Sequence, residues 1–201
     1  IGEEYCDCFN HILDCSGICG GLAFIDNCNN CVGGDTYLIE CESNNYALPL
    51  HIGSNLISFY SLPTDNNIDD MLISNTNDYI FSILGEASSS VNIGNNNWEG
   101  SLNSFTSTQG YWFRTINATS LYIENTWDIT DTLLYNLHLG ANLVSFPEDI
   151  TINIENAIPN EFETSFNAIL GESLVAVRME SGEWVGSLSS FSGGKGYWFI
   201  L

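Results

Sequence analysis

With 201 residues, 44% hydrophobic and 12% aromatic, the chain has room for one or two globular domains and is too apolar to be disordered. Its 25 acidic side chains stand against Arg114, Arg178 and Lys195 alone, a formal charge of −22. That argues against nucleic acid and an anionic membrane surface as partners, because both are held by clustered cations.

No apolar run approaches the ~20 residues that span a bilayer. No basic-then-apolar leader precedes the cysteines, so Ile1 reads as the start of a mature or excised chain. Cys6, Cys8, Cys15, Cys19, Cys28 and Cys31 crowd into residues 1–35 among Gly, Asn and Asp, with Cys41 just beyond. Such a segment cannot fold on a hydrophobic core and needs staples, either disulfides or a metal. Cys28-Asn29-Asn30-Cys31 is a CxxC, but Cys6-Asp7-Cys8 and the Cys15/Cys19 pair do not complete a zinc spacing, and His11 is the histidine at hand. Disulfides are therefore expected, and with them export; seven cysteines leave one thiol free or bonded to another chain.

Residues 36–40 (Thr36, Tyr37, Leu38, Ile39, Glu40) form a short β-type run, rich in aromatic and branched side chains, behind Gly33 and Gly34. Its nearest relative in the chain is Ser120-Leu121-Tyr122-Ile123-Glu124.

From there the text is written twice. Leu50-His51-Ile52-Gly53-Ser54-Asn55-Leu56-Ile57-Ser58-Phe59 returns as Leu137-His138-Leu139-Gly140-Ala141-Asn142-Leu143-Val144-Ser145-Phe146. In each, alternation around a glycine predicts strand, tight bend, strand. A short helix is expected over 68–73, capped by Thr64 or Asp65, with a counterpart over 154–158. Strands at 79–86 and 169–172 end in the same Leu-Gly-Glu turn, at Glu86 and Glu172, and a further strand covers 174–179. Trp98-Glu99-Gly100-Ser101-Leu102 then Gly110-Tyr111-Trp112-Phe113 recurs 86 residues later as Trp184-Val185-Gly186-Ser187-Leu188 and Gly196-Tyr197-Trp198-Phe199. A gapless offset of this kind marks an internal repeat.

The expected fold is mainly β: two tandem small β-sandwich or barrel-like domains, each with one short helix, after a disulfide-rich irregular N-terminal segment. The divisions fall at 1–35 (cysteine-rich), 36–44 (β-type run and linker), 45–125 (first repeat) and 126–201 (second repeat).

Two resemblances follow. The Gly-x-Asn-Leu-(Ile/Val)-Ser-Phe and Gly-Tyr-Trp-Phe text resembles the small β-domain repeats of exported bacterial and archaeal surface proteins, departing from the usual Trp at Ser54 and Ala141. The segment from Asp14 to Asp35 is loosely similar to thrombospondin type 3 repeats of secreted proteins. The first implies an exported structural or adhesive module without catalytic residues. The second implies calcium, for which Asp14, Asp26 and Asp35 are the candidate ligands, although they are isolated and no DxDxDG run is present; no other cofactor or metal is expected.

The chemistry-bearing residues read as structural. His51 and His138 occupy one place in both copies, which suits a hydrogen-bonded strand position better than catalysis. Ser58 and Ser145 lack a GxSxG context, and Glu86 and Glu172 read as turn or cap residues rather than a glycosidase pair. Trp98, Trp112, Trp184 and Trp198 sit in repeated apolar text and are expected in cores. Trp127, in the connection between repeats, is the candidate for an exposed contact, and Asn117-Ala118-Thr119 is the one glycosylation sequon. No enzymatic activity is expected.

One asymmetry carries a functional expectation. After Phe113 the first repeat runs on into a closing strand at 120–124, whereas the second stops at Phe199-Ile200-Leu201. An unpaired edge beside Tyr197, Trp198 and Phe199 invites a strand from elsewhere. The spare run 36–40 of a neighbouring copy is a donor candidate, building a head-to-tail filament, with Cys41 as a candidate covalent lock. Closure by the same chain's own strand, or by residues following Leu201, is the competing arrangement. The expected function is thus a structural subunit of an extracellular or cell-surface assembly that partners with copies of itself; the alternative is a secreted adhesion or carbohydrate-binding module with a glycan as partner.

Overall fold

The structure is a computed structural model and describes residues 5, 6, 9, 11–26, 30–40, 43–73, 79–127 and 132–201. It divides into two compact units, 1–44 and 45–201.

In the first unit Ala23 and Val32 are the buried apolar side chains among the described residues. Order comes instead from two disulfides, Cys6–Cys19 and Cys15–Cys31, which close loops of 13 and 16 residues. The expected pairing chemistry holds for these four cysteines; Cys8, Cys28 and Cys41 lie outside the described residues. Strands β1 (Phe24–Ile25) and β2 (Cys31–Val32) make a minimal antiparallel hairpin. Asp14 organises the loop before it: Oδ1 accepts the backbone N–H of Ser16 (3.0 Å) and Ile18 (2.9 Å) and the Ser16 hydroxyl (2.7 Å), while Oδ2 accepts the N–H of Ala23 (3.0 Å).

Residues 36–40 do not form the expected strand in the isolated chain. Thr36 ends a 3-10 turn (Gly34–Thr36), Tyr37 takes a left-handed conformation (φ 59°), and 37–40 join no ladder among the described residues. A single strand without a partner is not stable in water. Tyr37 and Ile39 are left 93% and 88% exposed.

In the second unit the first repeat comprises β3 (Asn44–Leu50), β4 (Gly53–Ser58), β5 (Leu62–Pro63), α1 (Ile68–Ile73), β6 (Ile80–Leu84), β7 (Ser89–Asn92), β8 (Trp98–Gly100), β9 (Gly110–Thr115) and β10 (Thr119–Trp127). A five-stranded sheet in the order β4-β9-β6-β7-β8 and a three-stranded sheet β3-β10-β5 enclose one core with α1. Inward residues alternate along each strand as the two-residue period demands: Tyr111, Phe113 and Thr115 on β9, Leu121 and Ile123 on β10. Phe105, from the repeated signature, packs 4.8 Å from Phe59, 5.1 Å from Tyr111 and 5.7 Å from Phe113 between ring centroids.

Two local expectations are corrected. The cap of α1 is Asn67, whose Oδ1 accepts the Asp70 N–H at 2.9 Å, rather than Thr64 or Asp65. The closing strand runs on past Glu124 to Trp127, which is half-buried; Trp127 pairs with Leu62 and its carbonyl accepts the Ser61 hydroxyl at 2.6 Å.

The second repeat comprises β11 (Ala141–Ser145), β12 (Thr151–Asn153), α2 (Ile154–Ala157), α3 (Asn160–Glu163), β13 (Ala168–Gly171), β14 (Leu174–Arg178), β15 (Trp184–Gly186), β16 (Ser190–Ser192) and β17 (Gly196–Ile200). Its five-stranded sheet, β11-β17-β13-β14-β15, reproduces the first repeat strand for strand. Phe191 takes the place of Phe105, at 4.8 Å from Tyr197 and 5.6 Å from Phe199. Even the tyrosine anchors match, the Tyr111 and Tyr197 hydroxyls accepting the N–H of Thr106 and Ser192 at 2.8 Å. A three-stranded second sheet has no counterpart among the described residues.

Candidate functional site

Two features stand out in the second unit: the junction between the repeats and an open groove in the second.

The junction is built from text common to both copies. Gly53 and Gly140 turn the chain with positive φ (103° and 102°) between each histidine and the next asparagine. Asn55 and Asn142, both buried, then fix the histidine segments: Asn55 Oδ1 accepts the His51 N–H (2.7 Å) and its Nδ2 donates to the His51 carbonyl (2.8 Å), with both contacts at 2.8 Å for Asn142 and His138. So held, each imidazole meets a glutamate of the opposite repeat. His51 Nε2 pairs with Glu172 Oε1 and His138 Nε2 with Glu86 Oε1 (2.5 Å). The second oxygen of each carboxylate accepts a backbone N–H, Leu56 for Glu172 (2.8 Å) and Leu143 for Glu86 (2.6 Å). Glu86 and Glu172 stand in the connections between paired strands, as expected, and from there also clasp the opposite repeat.

The imidazoles face acceptors on both sides, because Nδ1 lies against the Ile52 carbonyl (2.8 Å) in one copy and the Leu139 carbonyl (3.0 Å) in the other. Only the doubly protonated ring donates to both partners. The pKa of His51 is raised, first by the Glu172 hydrogen bond and then by the Ile52 carbonyl. That of His138 is raised by the Leu139 carbonyl and then by Glu86.

Between the clasps the backbones touch. Antiparallel bridges join Ile57 to Lys195 and Gln109 to Val144. The Ser58 hydroxyl donates to the Lys195 carbonyl (2.7 Å) and the Ser145 hydroxyl to the Ser107 carbonyl (2.5 Å), which gives both serines a structural role. Leu56 and Leu143 are buried here.

The groove lies on the other side of the second repeat. In the first repeat β10, beside β3 in the second sheet, turns Leu121 and Ile123, both under 3% exposed, into the core that holds Leu48, Leu50, Phe59 and Phe113. No equivalent strand covers the second repeat among the described residues. Positions buried in the first copy, Leu48, Leu50, Phe59 and Phe113, correspond to Tyr135, Leu137, Phe146 and Phe199, which are all only half-buried. Together with Phe166 and Tyr197 they line an apolar groove of about 660 Å³. Residues 132–138, the counterpart of β3, keep a strand's alternation, Leu133, Tyr135 and Leu137 turned inward and Leu134, Asn136 and His138 exposed, yet join no ladder. β3 is paired by β10 in the first copy, and no such partner for residues 132–138 is found among the described residues.

Of the expected acceptor residues, Tyr197 and Phe199 line this groove, and Trp198, the residue between them on β17, does not. Trp98 and Trp184 pack against the two cores. A second cavity of about 360 Å³, at the closing end of β10, has Asp65, Asp70, Met71, Tyr122, Glu124 and Trp127 in its wall.

Among the described residues no three His, Cys, Asp or Glu side chains converge as a metal site requires. Asp14 is saturated with N–H and hydroxyl donors, Asp26 is buried and accepts the Asn30 N–H (2.8 Å), and Asp35 lies in the 3-10 turn; the three do not form one ligand set. No helix of the described residues is long and apolar enough to cross a membrane. Comparison with family models, curated proteins and solved structures gave no match.

Proposed function

We propose that this protein is a structural subunit of an extracellular or cell-surface assembly, in which a strand from a neighbouring copy completes the second repeat. The observation that carries this reading is the difference between two copies of one fold: Phe59 and Phe113 are fully buried under β10, while Phe146 and Phe199 stand in an open groove. An edge of this kind is a template for strand addition. The disulfides of the first unit fit an oxidising compartment, and a net charge of −22 keeps single subunits apart until a specific contact forms. A head-to-tail contact does not close on itself and yields a filament. A cysteine outside the two disulfides, Cys41 first because it adjoins residues 36–40, supplies a covalent lock between neighbours.

Negative-stain microscopy of the native material, beside a non-reducing denaturing gel, tests this. Fibres, with a ladder that collapses to 22.2 kDa on reduction, are expected. Fibres without a ladder remove the covalent lock alone, and monodisperse compact particles overturn the reading.

A second reading, an adhesion module that holds a glycan, draws on the smaller cavity, where Trp127 and Tyr122 stand beside Asp65, Asp70 and Glu124. Aromatic faces flanked by carboxylates suit sugar rings and hydroxyls. Saccharide-array binding that disappears in Trp127→Ala would favour it.

A further inference from the structure

Resting on the assembly reading, we infer that the groove's occupant is residues 36–40 of a second copy, entering with Tyr37 and Ile39 turned inward, and that its arrival converts residues 132–138 into a paired strand.

The register comes from β10. Its inward residues are Leu121 and Ile123, and its outward ones are Tyr122 and Glu124. Residues 36–40 align with that text, identical at Ile39 with Ile123 and Glu40 with Glu124, and of similar kind with Thr36 for Ser120, Tyr37 for Leu121 and Leu38 for Tyr122. The two side chains that this alignment turns inward, Tyr37 and Ile39, are among the most exposed apolar residues of the described chain. Place in the chain agrees as well. β10 stands ahead of the second repeat in the chain, and residues 36–40 stand ahead of the first. A subunit that gives residues 36–40 and receives on its second repeat adds to its neighbours one to one.

The receiving edge is already poised. Leu133, Tyr135 and Leu137 are turned inward at a two-residue period, and the Tyr135 hydroxyl is held by Ser145 Oγ at 2.9 Å. Among the described residues, 132–137 join no ladder, and a strand between them and Asp149-Ile150, which follow Phe146 as Leu62-Pro63 follow Phe59, supplies their backbone groups with a neighbour.

The test uses three chains of residues 1–201: the unaltered protein, a donor variant (Tyr37→Asp with Ile39→Asp), and an acceptor variant (Ala157→Trp) that fills the groove from α2, where Ala157 is half-buried in its wall. Size-exclusion chromatography with light scattering should show polymers for the unaltered chain and monomers for each variant alone. An equimolar mixture of the variants should give a 1:1 dimer that does not grow, since one supplies the strand and the other the groove. Amide exchange of residues 133–138 should slow in that dimer relative to either variant. Should Ala157→Trp prove unfolded by circular dichroism, Leu137→Asp replaces it. If the donor variant polymerises like the unaltered chain, the donor identity is wrong while the assembly reading stands. If the unaltered chain is itself a monomer, both fall. A mixture that stays monomeric overturns the inference.

Discussion

Gly110 and Gly196 face each other across the junction of the repeats so closely that a Cβ on Gly110 would lie 2.8 Å from the Val144 carbonyl oxygen, and one on Gly196 2.8 Å from that of Ile57. In both cases the obstacle is backbone of the opposite repeat, which has no rotamer to yield. Gly110→Ala or Gly196→Ala is expected to cost about 1–3 kcal/mol, the usual range for overpacking, read as a lowered urea midpoint. Ser54→Ala, at an exposed position of β4, is the control and should leave the midpoint unchanged.

The clasps make the junction sensitive to pH. Both His51 and His138 have folded pKa values raised above 6.5. Their contribution is thus complete below 6.5 and lost as pH rises through the raised values. Urea midpoints measured from pH 5 to 9 should fall on the alkaline side of 6.5, and the double variant His51→Gln, His138→Gln should flatten that fall. Both rings are largely exposed, so added salt should shrink the effect.

Equivalent core positions should respond unequally. Leu121→Ala empties a fully buried site in the first repeat and is expected to cost about 2–5 kcal/mol. Leu137→Ala, at a half-buried groove position, should cost the isolated subunit less. Chemical unfolding of monomeric material separates the two.

Reduction should act on one unit alone. Loops of 13 and 16 residues closed by Cys6–Cys19 and Cys15–Cys31 correspond to about 3 kcal/mol each in the chain-entropy account, and almost no buried apolar surface replaces them. Limited proteolysis in reductant is expected to remove the segment before residue 44 and spare 45–201, whose two cores contain no cysteine.

The Asp14 carboxylate, held below its usual pKa of 3.8 chiefly by the Ile18 N–H and the Ser16 hydroxyl, stabilises its loop above that value and ceases to do so as pH falls through the lowered one. Asp14→Ala should release amide protection at Ile18 and Ala23 in hydrogen exchange at neutral pH.

Much of this fold is legible in the sequence because the same text appears twice. Gly110-Tyr111-Trp112-Phe113 and its copy announce one strand in two places. The clasp is a different matter. His51 and Glu172 are 121 residues apart, and nothing local tells that the end of a Leu-Gly-Glu turn reaches across to the other copy; the recurrence of both residues at matched places was the available signal. Asn67 rather than Thr64 caps α1 because the helix starts at Ile68 and a cap serves the residue three positions on. Residues 36–40 have the composition of a strand and lack the partner that makes one, a distinction that composition does not carry.

The reciprocity of the junction constrains how such a protein changes length. Each repeat lends its carboxylate to the other's imidazole and its glycine to the other's backbone, so the unit that keeps its contacts whole is the pair. Duplicating or deleting a single repeat would leave one glutamate facing no histidine and one flat glycine surface open to solvent. Growth in steps of two preserves every contact.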